Sequence, residues 1–84
     1  MSLMKIEKYK YEGNMISEWD SDRLPKWLAR ALRDKILHRE HDLYCRIDDF
    51  DVLVNIGDWI IWSDDFGILV IPQYLVPYIP FMNE

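Results

Sequence analysis

Apolar residues recur at two spacings along the chain, and the spacing separates one helical stretch from several extended ones. In residues 20–35, DSDRLPKWLARALRDK, the apolar side chains lie three and four positions apart, as on one face of an α-helix. They are Leu24, Trp27, Leu28, Ala31 and Leu32. Pro25 suits a first helical turn, and three candidate capping residues precede it: Asp20, Ser21 and Asp22. The pattern predicts one amphipathic helix.

Short apolar runs between turn residues predict strands in the rest of the chain. After the helix they are a short strand around Ile36 and Leu37, then LYCRI (43–47), FDVLV (50–54), WIIW (59–62) and ILVI (68–71). An Asp-Asp turn separates LYCRI from FDVLV. Before the helix, KIEKYKYEGNMISEW (5–19) alternates in part, with Gly13-Asn14 tolerating positive φ. That segment is either one bent or bulged strand or two short strands.

The stretch NIGD, residues 55–58, contains an aspartate that is either a catalytic carboxylate or part of a turn. A catalytic aspartate needs a second titratable group within reach, and no motif near Asp58 supplies one. Turn chemistry accounts for Asn55, Gly57 and Asp58 together, because these residue types accept left-handed backbone or bond nearby amides. We therefore predict a hairpin corner here, and a second one at SDDFG (63–67).

Together these elements predict an α+β fold, a single small domain of residues 1–84. An antiparallel sheet or a small open barrel would be covered by the one amphipathic helix. Residues 72–84 form a terminal segment rich in proline and aromatic residues. Its prolines, Pro72, Pro77 and Pro80, lack an N–H donor, which confines the segment to a sheet edge or an extended coil. Residues 1–3 fit a vector-derived remnant ahead of a native start at Met4.

Charge is distributed unevenly between the two halves of the chain. Residues 1–46 hold all ten basic residues and eight acidic ones, for a net +2, whereas residues 47–84 hold seven acids and no Lys or Arg, for −7. This leaves six aspartates without local cations: Asp48, Asp49, Asp51, Asp58, Asp64 and Asp65. Such a surface repels phosphate and attracts basic surfaces, or else the acids simply occupy solvated turns. Lys26, Arg30 and Arg33 form one helical row, which we interpret as a solvated face rather than a nucleic-acid site.

No residue pattern indicates an enzyme, a cofactor or a metal. His38, His41 and Cys45 resemble metal ligands, but zinc sites pair such residues with a distant second pair that is missing here. Cys45 is expected to be a small core residue. His38 or His41 beside a buried carboxylate in a deep cleft would instead favour a small enzyme. The single cysteine, the lack of a secretory pattern and the lack of an apolar run of about 20 residues predict a cytoplasmic protein outside the membrane.

The order of segments resembles that of small phage and prophage proteins of uncharacterised function. The segments that carry the resemblance are KIEKYKYEGNMISEW, LPKWLARAL, LYCRI and VLVNIGDWIIWSDDFGILVI, and GDWII at 57–61 with Gly67 downstream is the most specific part. The chain departs from that pattern at Asn55-Ile56, where a proline often stands, at Phe66, which precedes Gly67, and in its apolar ending. The resemblance implies a phage-encoded accessory protein in the host cytoplasm and carries over no catalytic residue.

We therefore predict a non-enzymatic phage or prophage accessory protein that binds a host macromolecule, with no cofactor. The expected contacts are Asp48, Asp49, Asp51, Asp64 and Asp65, with Tyr74 and Tyr78 as anchors. Those acids would meet a basic patch such as a nucleic-acid-binding surface, which would make the protein an inhibitor of a host nuclease or polymerase. The C-terminal aromatics either finish the core or form a docking surface. An alternative function is a self-associating structural or assembly component, in which sheet edges of two copies pair.

Overall fold

The protein has an α+β fold with antiparallel strands, as the sequence predicts. A computed structural model describes residues 5–13 and 24–83. In these ranges the strands form two three-stranded sheets rather than one, with strand orders β1-β5-β6 and β2-β3-β4. Contacts divide the chain into two units, the terminal unit (residues 1–13 and 55–84) and the central unit (residues 14–54).

The central unit contains the helix and three consecutive strands. They are α1 (Lys26–Arg33), β2 (Leu37–Arg39), β3 (Leu43–Ile47) and β4 (Phe50–Val54). The bounds of β3 and β4 are those predicted, and the Asp-Asp turn joins the two strands with Ile47 opposite Phe50. The register places Leu37, Leu43 and Cys45 on one face of the sheet, where all three are buried.

Helix α1 presents the predicted apolar stripe to the interior. Leu28, Ala31 and Leu32 are buried and α1 contacts β2, whereas the cations Lys26, Arg30 and Arg33 are exposed, as expected for a solvated face. Pro25 is the N-cap residue, and its carbonyl oxygen accepts the first hydrogen bonds of the helix. The predicted caps at 20–22 lie outside the described residues.

The terminal unit brings strands from both ends of the chain together. Its strands are β1 (Ile6–Lys10), β5 (Trp59–Ser63) and β6 (Gly67–Ile71), with β5 in the middle. The prediction of a hairpin corner is confirmed for SDDFG, since Ser63 pairs with Gly67, whose φ of +79° favours glycine. Of the segment predicted to be one or two strands, residues 6–10 are β1, and residues 14–19 lie outside the described residues.

The hairpin prediction for NIGD is wrong, although this stretch does form a turn. Strand β4 ends at Val54 and belongs to one sheet, whereas β5 begins at Trp59 and belongs to the other. Gly57 has the left-handed backbone predicted for a turn residue, with a φ of +97°. The turn, however, connects strands of two different sheets instead of closing a strand pair. A turn motif specifies the local change of direction and not the pairing of the strands that flank it.

The prediction of an edge strand or extended coil for residues 72–84 is also wrong. The segment forms two 3₁₀ helices, Gln73–Tyr78 and Pro80–Asn83. Pro72 and Pro80 stand at the starts of these helices, where a missing N–H leaves no helical bond unmade. Val76, Ile79 and Met82 follow at three-residue intervals, which is the repeat of a 3₁₀ helix.

Candidate partner-binding surface

The first C-terminal 3₁₀ helix carries the most exposed aromatic residues of its unit. Tyr74 is 71% exposed, Tyr78 is 81% exposed and Leu75 is 39% exposed. Three residues per turn place Leu75 and Tyr78 in one row and Tyr74 in the next row, while Val76 lies in the third row and is half-buried. We name Tyr74, Leu75 and Tyr78 the tyrosine face.

The opposite side of this segment is held on the sheet by an apolar cluster. Ile61, Ile71 and Met82 are its buried members. The partly buried residues against it are Ile6, Trp59, Val76, Ile79 and Phe81. The strand register places Ile6, Trp59, Ile61 and Ile71 on the same face of the sheet, so the two 3₁₀ helices cover that face. The aromatics of the segment thus divide, with Phe81 finishing the core and the two tyrosines facing solvent.

Two polar contacts fix the ends of the segment. Lys8, on the covered face of β1, donates a hydrogen bond from Nζ to the carbonyl oxygen of Phe81 at 3.0 Å. At the other end the backbone N–H of Gln73 donates to Oδ1 of Asp58 at 3.1 Å. The segment is therefore attached at Gln73, where its first helix begins, and again at Phe81 in its second helix.

Asp58 is a structural carboxylate in the turn between the two sheets. It is 4% exposed, and its second oxygen, Oδ2, accepts the backbone N–H of Asn55 at 2.9 Å. Its carbonyl oxygen accepts the N–H of Tyr11, and the carbonyl oxygen of Tyr11 accepts the N–H of Gly57. Both carboxylate oxygens are thus engaged with backbone amides, which supports the prediction that Asp58 serves the turn.

The aspartates predicted as contacts are distributed over both units. Asp48, Asp49 and Asp51 belong to the central unit, and Asp64 and Asp65 form the β5–β6 turn of the terminal unit. All five are exposed. Within the terminal unit, the Asp64–Asp65 turn precedes β6 and the tyrosine face follows it, so about 13 Å of strand separates them.

The expectation that Asp51 lacks a local cation is wrong. Its Oδ1 lies 3.2 Å from His38 Nε2 and 3.5 Å from Arg46 Nε. His38 also stacks on Tyr44, with ring centroids 5.6 Å apart. The hydrogen bond from His38, followed by the charge of Arg46, lowers the pKa of Asp51 below its ordinary value. No ion pair to Asp48, Asp49, Asp64 or Asp65 is present in the described part of the chain.

The residues that resembled metal ligands diverge in the fold. Cys45 lies on the buried face of its sheet opposite Leu37, whereas His38 is opposite Tyr44 and points to the other face. Cys45 is fully buried, as predicted, and burial raises the pKa of its thiol to about 11. In residues 5–13 and 24–83, no three His, Cys, Asp or Glu side chains come close enough to hold a metal ion.

His38 lies in β2 and is half-buried. Its carboxylate partner Asp51 is exposed, so this pair is not the histidine with a buried carboxylate that would favour a small enzyme.

The sequence analysis does not identify Leu75 as a member of the tyrosine face. It also does not identify Lys8 and Asp58 as the residues that attach the C-terminal segment. Leu75 could have been found from the three-residue interval to Tyr78, once a 3₁₀ helix was considered. Lys8 carried no local signal, because its partner Phe81 is 73 positions away in the chain.

Comparison with known proteins finds no family model, no curated protein and no solved structure that matches this chain. Every helix in the described ranges is too short or too polar to cross a membrane.

Proposed function

We propose that this protein is a non-enzymatic phage- or prophage-encoded accessory protein that binds a host macromolecule in the host cytoplasm. The observation that carries the proposal is the tyrosine face, two tyrosines more than two-thirds exposed on a segment attached at both ends. Tyrosine is enriched in protein interfaces, since it offers a large contact area and a hydrogen-bonding hydroxyl.

Attachment of the segment favours binding because little conformational entropy remains to be lost. The cluster around Met82 and the contacts of Lys8 and Asp58 order the backbone before any partner arrives. A surface ordered in advance binds more tightly than a mobile one with the same contacts. The tyrosine face would therefore act as the anchor of the interface.

The exposed aspartates would contribute to the rate of association. Asp64 and Asp65 have no ion pair in the described chain, and the described residues of the terminal unit carry three Lys against five acids. Unpaired charges of one sign steer a partner of the opposite sign over about one Debye length, near 8 Å at physiological salt. A partner with a basic surface fits this unit, as a nucleic-acid-binding host protein would.

Affinity capture from bacterial lysate tests the proposal, with the tagged protein at low and at high salt and mass spectrometry of the bound species. We expect one host protein that is retained at low salt, reduced at high salt, and lost with the double variant Tyr74→Ser, Tyr78→Ser. Phe66→Ser is the matched control, since Phe66 is also an exposed aromatic residue of the terminal unit but lies in the β5–β6 turn. Equal retention by the double variant and the control, or no retained host protein, would refute the proposal.

A further inference from the structure

Strand β4, one of the two edges of the central sheet, is less protected than the other sheet edges. Strand β4 pairs with β3 alone in the described part of the chain, and four of its five residues are exposed. Phe50 is 74%, Val52 36% and Leu53 41% exposed. We name Phe50–Val54 the β4 edge.

Edge strands of monomeric proteins are usually protected against pairing with another chain by charge, proline, a bulge or short length. The β1 edge carries Lys8 and Lys10, and β2 has only three residues, one of them Arg39. Strand β6 runs directly into Pro72, and its residues are half-buried or buried.

The β4 edge lacks a proline, a bulge and an uncompensated charge. It contains no lysine and no proline, and its five residues pair with β3 in an unbroken register. Its one charge, Asp51, already contacts Arg46 and His38. Pairing would therefore bring together edges whose charge is compensated within each copy.

We propose that two copies of this chain pair through their β4 edges, antiparallel and centred on Val52, to make a six-stranded sheet. The surface lies in the central unit, so this inference does not depend on the tyrosine face. Antiparallel pairing of an edge with itself is isologous and closes as a dimer.

The sequence of β4 selects this register. With Val52 opposite its own copy, Phe50 faces Val54 and Asp51 faces Leu53, so all five residues pair and each face continues into the same face. The two Asp51 side chains then lie on a diagonal about 7–8 Å apart. A shift by one residue would place the apolar face of one copy beside the polar face of the other, and centring on Asp51 would oppose two carboxylates directly.

The small contact area predicts a weak dimer. A stable interface buries roughly 800 Å² on each partner, which exceeds what a five-residue strand with three exposed apolar side chains can cover. We expect a dissociation constant on the order of micromolar, so that the monomer dominates in dilute solution.

Sedimentation velocity of the full chain tests this, from about 0.1 to 100 µM so that the range spans a micromolar constant. We expect the wild type to move from monomer to dimer, and Val52→Lys, which places two cations on the symmetry axis, to stay monomeric. Phe66→Lys is the matched control, a similarly exposed apolar residue in the β5–β6 turn of the terminal unit, and should dimerise like the wild type. The inference would be overturned if the wild type stays monomeric, even if its β4 edge binds a different protein. So would a folded Val52→Lys that dimerises normally.

Cross-linking gives a second test that does not need Val52→Lys to fold. Directly opposite Cβ atoms in an antiparallel pair lie about 4.5–5.5 Å apart, close to the range that a disulfide spans. Under mild oxidation Val52→Cys should form a covalent dimer, whereas Phe66→Cys should not. The native Cys45 does not compete, because it is fully buried. Absence of the Val52→Cys dimer, or equal cross-linking of both variants, contradicts the proposed register.

Discussion

The two three-stranded sheets differ in what covers their apolar face and in how far apart in sequence the covering residues lie. In the central unit, α1, β2, β3 and β4 follow one another along the chain, and α1 contacts the nearest strand. In the terminal unit, β5 pairs with a strand from the start of the chain and is covered by 3₁₀ helices from its end.

The difference matters for function because the two arrangements leave different surfaces exposed. The terminal unit covers an apolar face with a segment whose outer side carries the tyrosine face. The central unit leaves the β4 edge exposed instead. The proposed partner surface and the proposed self-pairing surface thus lie in separate units, and substitutions can address each one alone.

Loss of the Asp58 carboxylate should have the largest effect on stability, because this side chain holds the turn that attaches the C-terminal segment to the terminal unit. Asp58→Ala leaves the N–H groups of Asn55 and Gln73 without their acceptors, and hydrogen bonds to a charged group contribute roughly 1.5–3 kcal/mol each. We expect a loss of about 4 kcal/mol in the free energy of unfolding, measured by urea denaturation. Asp58→Asn keeps one acceptor oxygen and should lose about half as much. An alanine variant as stable as the wild type would show that the turn does not depend on this side chain.

Truncation of Met82 separates the buried side of the C-terminal segment from its exposed side. Met82 is 9% exposed within the cluster of Ile61 and Ile71, so Met82→Ala should lower the free energy of unfolding by about 2–3 kcal/mol. Tyr78→Ala, in the same segment but 81% exposed, should change it by less than about 0.5 kcal/mol. Similar losses in the two variants would mean that Tyr78 is part of the fold rather than of a free surface.

Alkaline pH should destabilise the central unit through Cys45. Burial raises the pKa of this thiol from 9.0 to about 11, so the neutral thiol is favoured in the folded state. Its contribution is therefore fully present below about pH 9 and is lost as the pH rises to about 11, for a loss of about 2–3 kcal/mol. Denaturation of the wild type and of Cys45→Ala across this range isolates the effect from other titrating groups. Parallel pH curves for the two proteins would contradict a buried neutral thiol.

The smallest expected effect concerns Asp51 on the solvent-facing side of the central sheet. His38→Phe keeps an aromatic ring against Tyr44 but removes the hydrogen bond that contributes most to lowering the pKa of Asp51. The pKa of Asp51, measured by NMR titration of its carboxyl carbon, should rise toward the ordinary aspartate value. Because its folded pKa is lowered, the stabilising contribution of Asp51 is present above its unfolded pKa and is lost as the pH falls through the folded pKa. An unchanged pKa in His38→Phe would assign the shift to Arg46 instead.

The parts of the fold that depend on neighbouring residues could be predicted from the sequence. Strands β3 and β4 have the predicted bounds because apolar runs and a two-residue turn define both ends locally. The pairing of β1 with β5 could not be predicted, since the alternation of polar and apolar residues does not identify a partner about 50 positions away.

Only part of the candidate site can be predicted from the sequence, for physical reasons that differ between residues. The aromatic composition points to both tyrosines, but the prolines around them do not distinguish a sheet edge from a 3₁₀ helix, because proline also suits the start of a helical turn, as at Pro72 and Pro80. Counting charges by halves of the chain hides the pair of Arg46 and Asp51, because the two residues fall on opposite sides of the division. The two-residue Asp48–Asp49 turn places Arg46 directly opposite Asp51, so the register would have revealed the pair.

The most direct test of the account measures the affinity and association rate of the captured host partner for three purified proteins: the wild type, Tyr74→Ser with Tyr78→Ser, and Asp64→Asn with Asp65→Asn. We expect the tyrosine pair to weaken binding at least tenfold, mainly through faster dissociation, since buried tyrosines dominate interface energetics. The aspartate pair should slow association and reduce its salt dependence. Equal affinity of the wild type and the tyrosine variant would contradict the assignment of the tyrosine face as the anchor.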